Sequence, residues 1–171
     1  MKTLRILAID DHEMTMLGYK FILERIVFEG HSIIVDTANT YEMGRKLIED
    51  SVNSFKYDIL FLDVQLFPPN EDQPHTGEDL GVLARRLVPE TKIAFMSSFS
   101  DNYRINSILK SVDPDGYLVK TDIDPKTLED EVKTITLNPP YYSSKALSAI
   151  RKKMTNDISL DEKDKKILYH L

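Results

Sequence analysis

Cysteine is absent from the 171 residues. That excludes structural disulfides and thiolate metal sites, and it leaves no sign of an oxidising compartment. Long apolar runs are absent as well. No stretch approaches the roughly 20 residues needed to cross a bilayer, and the N-terminal MKTLRILAIDD turns acidic too soon for a signal peptide. There is no internal repeat and no low-complexity tract. Positive charge is in short supply: 22 Lys and Arg against 28 Asp and Glu leave −6, which opposes a general grip on nucleic acid. The expectation is a soluble, cytoplasmic protein with no membrane contact. The charge is uneven. Residues 151–171 carry six Lys/Arg and four Asp/Glu, a local +2, so residues 1–150 sit at −8. An acidic body with a slightly basic tail suggests two functional units.

Apolar residues form 42% of the chain, enough for a packed core and against global disorder. Short apolar runs fall at 4–9, 32–36, 57–62, 92–96 and 116–119. Their length and their Ile, Leu, Val and Phe content suit strands buried on both faces. Helical patterns lie between them, at 14–28, 41–51, 78–87, 102–112 and 125–137. Five strand–helix alternations predict an α/β fold, a doubly wound five-stranded parallel sheet. Right-handed crossovers leave few topologies, and the flavodoxin-like order 2-1-3-4-5 is favoured. Asp124-Pro125 starts the fifth helix and Asn138-Pro139-Pro140 ends it. A further short helix is expected over 143–154, then a polar linker at 155–159. One more helical pattern opens at 160–171, capped by Asp161.

Ligands of a parallel α/β sheet sit at the C-terminal strand ends. Asp10 and Asp11 follow the first run and Asp63 the third, so strand order 2-1-3 brings three carboxylates together. Such a cluster needs a cation or a shifted pKa, and oxygen-only donors without cysteine fit Mg²⁺. Ser97 and Lys120 end the fourth and fifth runs. An acidic pair, a central Asp, a hydroxyl and an ammonium match phosphoryl transfer to a carboxylate nucleophile. Taken singly, an acidic pair is commonly a helix cap or solvated turn, a terminal Lys a surface charge, and Tyr117 plain edge packing. The set is what speaks.

The segments LAIDDHEMTMLG, YDILFLDVQLFP, KIAFMSS and DGYLVK resemble the receiver domain of bacterial two-component response regulators, over roughly residues 3–138. The resemblance implies that Asp63 is the phosphoacceptor. It implies that Asp11 ligates Mg²⁺ directly, Asp10 largely through water, and Gln65 through its backbone carbonyl, beside Asp63 itself. Ser97 would bond a phosphoryl oxygen, Lys120 would pair with it, and Ser97 and Tyr117 would form the switch. Phe99 would flank the site, and His12 would take a structural or outer-sphere role. His12 and His75 each lack a second histidine at ligand spacing. The implied partner is a sensor histidine kinase, with homodimerisation also admitted.

Three departures stand out. Gly77, which matches a family glycine, comes fourteen residues after Asp63, later than usual. The extra stretch lies within FPPNEDQPHT at 67–76, an exposed loop by composition. It reads equally as a tolerated insertion or as a shield for the acyl phosphate. Asp113-Pro114 stands where the family has Gly-Ala, and Thr121 where a proline often follows the lysine. The latter resembles the NarL/LuxR-type branch.

That branch carries a LuxR-type helix-turn-helix, and Ile158-Ser159-Leu160 followed by DEKDKKILYHL is similar in outline to its opening. The expected organisation is a receiver domain over 1–138, a linker helix region over 139–157, and the start of a truncated DNA-binding domain over 158–171. DNA would then be reached only through the missing part. Two alternatives remain. One is a stand-alone receiver acting through protein contacts. The other is a haloacid-dehalogenase-like phosphatase, which expects an Asp two residues after the nucleophile, where Gln65 stands.

Overall fold

The structure, a computed structural model, describes residues 1–66, 76–98 and 104–152. Strands β1 (Lys2–Ile9), β2 (His31–Ala38), β3 (Ile59–Asp63), β4 (Lys92–Ser97), β5 (Gly116–Val119) and β6 (Tyr141–Tyr142) form one sheet. Helices α1 (Glu13–Leu23), α2 (Tyr41–Ser51), α3 (Gly77–Leu87), α4 (Ile105–Ser111) and α5 (Pro125–Leu137) connect them. A last helix, α6, runs over 144–152. Every pairing is parallel and the order is 2-1-3-4-5-6. The doubly wound fold and the order of the first five strands are as expected.

The sheet has a sixth strand, a correction to the five expected. Tyr141 and Tyr142 pair with Gly116 and Tyr117 of β5, inside a region expected to be linker. Two residues are too short to display a period, and what fixes them is the open edge of β5. Helix α1 also ends earlier than the expected residue 28. Glu24 is its C-cap and Gly30 takes a left-handed φ of 79°. Phe28 leaves the helix pattern to stack on His31, ring centroids 4.1 Å apart. Strand β2 is buried on one face only, with Ile33 and Val35 inside and Ser32 and Ile34 outside, because it is an edge. The first residues of the expected 102–112 helix, and the expected elements at 155–171, lie outside the described residues.

Strand alternation divides the core. Leu4, Ile6, Ala8, Ile59 and Phe61 face α1 and α5, where Met16, Tyr19, Leu128 and Val132 meet them. Leu7, Ile9, Leu60, Leu62 and Phe95 face the other side, against Ile48, Leu80, Ala84 and Ile108. Each fully buried Leu or Ile contributes about 1.5–3 kcal/mol. The helices are held in place by their ends. Thr76–Asp79 and Asp124–Thr127 are reciprocal capping boxes at α3 and α5. Asp113, at the end of α4, has φ 51°, a position that favours glycine. Arg85 clamps this corner, its guanidinium donating to the carbonyls of Val112, Thr91 and Asp113 and to Asp115 Oδ2.

One core residue was not signalled by the sequence. Glu131 of α5 is fully buried, and neither carboxyl oxygen has a hydrogen-bond partner among the described residues. It lies flat against the sheet, so that a Cβ on Gly116 would come 2.8 Å from Glu131 Oε1. Burial pushes its carboxyl well above the ordinary range, which keeps it neutral. A raised folded-state pKa means the native state keeps a proton that the unfolded chain releases. The contribution of this group to stability is therefore greatest at acid pH and falls as pH rises above the ordinary carboxylate value. Glu131→Leu is expected to stabilise the protein at pH 8 by about 1–3 kcal/mol, with the gain shrinking toward pH 4. Urea melts at the two pH values check this.

Candidate functional site

The strand register assembles the site. Ile9 of β1 stands opposite Leu62 of β3, and Asp63 opposite Met96 of β4. Asp10 therefore leaves the sheet beside Asp63, and Ser97 ends β4 one position further on. Val119 pairs with Ser97, so Lys120 emerges at the same edge. Asp10 is 0% exposed and Asp63 1%. Two carboxylates buried side by side repel. The Lys120 ammonium answers both, donating to Asp63 Oδ2 at 3.0 Å and lying 3.2 Å from Asp10 Oδ2. Burial pulls the Lys120 pKa down, but the charges of Asp63 and Asp10 outweigh it and leave it raised. Even so, burial and then the Asp10 charge push Asp63 above its ordinary range, against the opposing pull of Lys120.

Backbone and side-chain donors complete the cradle. Gln65 N donates to Asp63 Oδ1 at 3.2 Å, and His12 N to Asp10 Oδ1 at 2.9 Å. His12 Nδ1 lies 3.2 Å from Asp10 Oδ1 and 3.0 Å from Asp11 Oδ1, so this ring spans the acidic pair. Asp11 is exposed. The Ser97 Oγ is buried and has no hydrogen-bond partner among the described residues, an orphaned donor at the edge of an anionic pocket. Gly77 closes the floor. Its N–H donates to Val64 O at 3.0 Å, and a Cβ there would come 1.9 Å from Asp63 O. No side chain fits in that space, so the later glycine occupies an indispensable place despite the longer loop before it.

Structure thus brings together Asp10, Asp11, His12, Asp63, Gln65 and Lys120, with Ser97 at the adjoining strand end. Tyr117 stands apart, fully buried on β5, its ring centroid 6.3 Å from that of Phe95. Phe99, His75 and residues 67–75 of the inserted loop lie outside the described residues.

One ligand atom from each of Asp10, Asp11, His12 and Asp63 falls within 4.8 Å of the others. The carboxylate oxygens are hard donors at a site whose negative charge Lys120 only partly offsets, and this donor set fits Mg²⁺.

No protein-family model and no curated protein matches the chain by sequence. Solved structures do match it in fold. A LuxR-family two-component response regulator from an Aurantimonas species superposes with TM-score 0.71 at 19% identity, over 90% of this chain and 99% of that one. The RcsB response regulator of Salmonella typhimurium gives 0.69 at 16% identity, over 89% of this chain and 69% of that one. The isolated receiver domain of RcsB from Salmonella enterica serovar Typhimurium, solved with a phosphomimetic, gives 0.66 at 16%, over 86% and 99%. The chain has the fold of a response-regulator receiver domain. Among the described residues, no helix is long and apolar enough to cross a membrane.

Asp10 is enclosed and already engaged, whereas Asp11 is the open carboxylate. Mg²⁺ binding is expected to be weak and to depend chiefly on Asp11. Losing an outer-shell partner already costs about 10–100-fold in metal affinity, so Asp11→Ala should weaken binding by at least about tenfold. Mg²⁺ titration followed by NMR measures it, and undiminished affinity would remove Asp11 from the ligand set.

Proposed function

We propose that this chain is a phosphorylation-controlled switch of a two-component system, with Asp63 as its phosphoacceptor. The observation that carries this reading is the buried Asp63 carboxylate, held by one ammonium between a second carboxylate and an unpartnered serine hydroxyl. In the proposed step an Asp63 oxygen attacks the phosphorus of a phosphohistidine on a sensor kinase. A P–O bond forms, the P–N bond breaks, and the histidine leaves with the bonding pair and takes up a proton. Lys120 then pairs with a phosphoryl oxygen, and the Ser97 hydroxyl, which has no partner among the described residues, donates to another. When bound by Asp11, Asp63, the Gln65 carbonyl and, through water, Asp10, Mg²⁺ supplies charge neutralisation on those oxygens. The chain turns over no external substrate; it catalyses only its own phosphotransfer and dephosphorylation.

The phosphatase alternative has no support at Gln65, which offers a backbone N–H and no acid at the required position. A LuxR-type transcriptional output is the reading favoured for the whole protein. It rests on the tail's resemblance and on the family of the Aurantimonas structure; residues 158–171 lie outside the described residues. Cytoplasmic location, a kinase partner and homodimerisation follow from the same reading.

The test is incubation with acetyl phosphate and Mg²⁺, then intact mass measurement. One phosphoryl mass is expected on the wild type and none on Asp63→Asn. Equal labelling of the Asn variant sinks the assignment.

A further inference from the structure

The helix expected over 143–154 is present as α6 as far as the described residues reach, and the two residues of β6 before it join the sheet. Backbone donors of Tyr141 and Ser143 bond the carbonyls of Asp115 and Tyr117 at 2.9 and 3.0 Å. The Ser143 hydroxyl is buried and serves two elements at once. It accepts from Val119 N at 3.1 Å, within β5, and from Ala146 N at 3.4 Å, in the first turn of α6. Ala146 is fully buried in the same apolar cluster as Tyr117, Val119, Ile105 and Ile108, and Ala149 and Ile150 pack on its margin. Helix α6 therefore closes over the core face to which Tyr117 belongs.

Its first turn is tied to the functional site by a second route. Lys120, which grips Asp63 and Asp10, opens a 3-10 turn over Lys120–Asp122. The next two residues of that turn hold α6: Asp122 Oδ2 accepts from Lys145 N at 3.0 Å, and Thr121 Oγ1 from Lys145 Nζ at 2.7 Å. The covalent path from the ammonium that senses Asp63 to the residues that hold α6 is one or two residues long. A shift of the Lys120 backbone would act on the turn that carries both anchors.

We propose that α6 is a latch on β5, docked in the unmodified chain and released when Asp63 is phosphorylated. This rests on Asp63 being the phosphoacceptor. The latch has two states, docked and undocked, and the site biases between them through the Lys120–Asp122 turn. Signal would thus pass directly from β5 into whatever chain follows α6, with no partner required for the first step.

Coupling between two sites is reciprocal. Ligand at Asp63 must loosen α6, and loosening α6 must tighten ligand binding at Asp63 by the same factor. The experiment is hydrogen exchange with mass spectrometry on residues 1–171, with and without beryllofluoride and Mg²⁺ as the phosphoryl mimic. Amide protection over 144–152 is expected to fall by about tenfold while amides around Asp63 and Ser97 become more protected. Asp122→Ala, which removes an anchor at the surface, and Ala146→Glu, which drives a charge into the docked face, are expected to lower protection of α6 without ligand. Both should raise beryllofluoride affinity by a matching factor. Protection around Asp63 with α6 unchanged, and with both variants binding the mimic as the wild type does, overturns the latch but leaves the phosphoacceptor standing. No change at either place overturns both. Asp122→Ala keeps the test decisive if Ala146→Glu fails to fold.

Discussion

Everything in this molecule's chemistry depends on one enforced repulsion. Asp10 and Asp63 are set side by side by the register of β1 and β3, and the core behind them denies both carboxylates water. Two unit charges about 4 Å apart interact by ~4 kcal/mol at the effective dielectric of a protein edge. Lys120 offsets this from one side, at 3.0 and 3.2 Å, and Asp63 is still left above its ordinary range. The site is short of positive charge by design of its geometry. A hard divalent cation held by these carboxylates would relieve it. The buried Ser97 hydroxyl fits the same account, since a donor with no partner is costly until an anion arrives.

Much of this was legible because it lies where a simple rule applies. A strand buried on both faces reads as a continuous apolar run, and the residue ending such a run in a parallel sheet is at the ligand edge. Asp10, Asp63, Ser97 and Lys120 all satisfy that rule, and β5 and the helices at 41–51 and 125–137 fall where the pattern puts them. What escaped was decided by tertiary context. Helix α1 stops at Leu23 because the chain must turn toward β2, although Ile26 and Phe28 continue an apolar pattern. Strand β6 has two residues and exists because β5 would otherwise end the sheet. Glu131 was silent because a glutamate on a helix reads as a solvated face. Only the fold reveals that this one points at Gly116.

Glu131 and the Asp10–Asp63 pair are opposite solutions to burying carboxylates in one small domain. The pair is bridged by a lysine, and the lone acid gives its charge up. Tyr19, between them on α1, registers both. Its phenol is pushed up by burial first and then by Asp10, Asp63 and Glu131. The α1–α5 side of the core thus buries its acid in neutral form. The charge that can change sits at the C-terminal edge of the sheet, tied to the end of β5 through Lys120.

That division determines where a signal can leave the domain. Adding a phosphoryl group alters the site by roughly one unit of charge, and coupling energies of about 1–3 kcal/mol are what such events deliver. An element docked through large apolar side chains would not respond to so little. Helix α6 meets the core through Ala146, Ala149 and Ile150, two of them among the smallest side chains available. Bonds at Ser143, Thr121 and Asp122 anchor its first turn. Those bonds sit next to Lys120. In the proposed latch, a helix whose anchors adjoin Lys120 is the part of this fold on which a phosphoryl group at Asp63 would act.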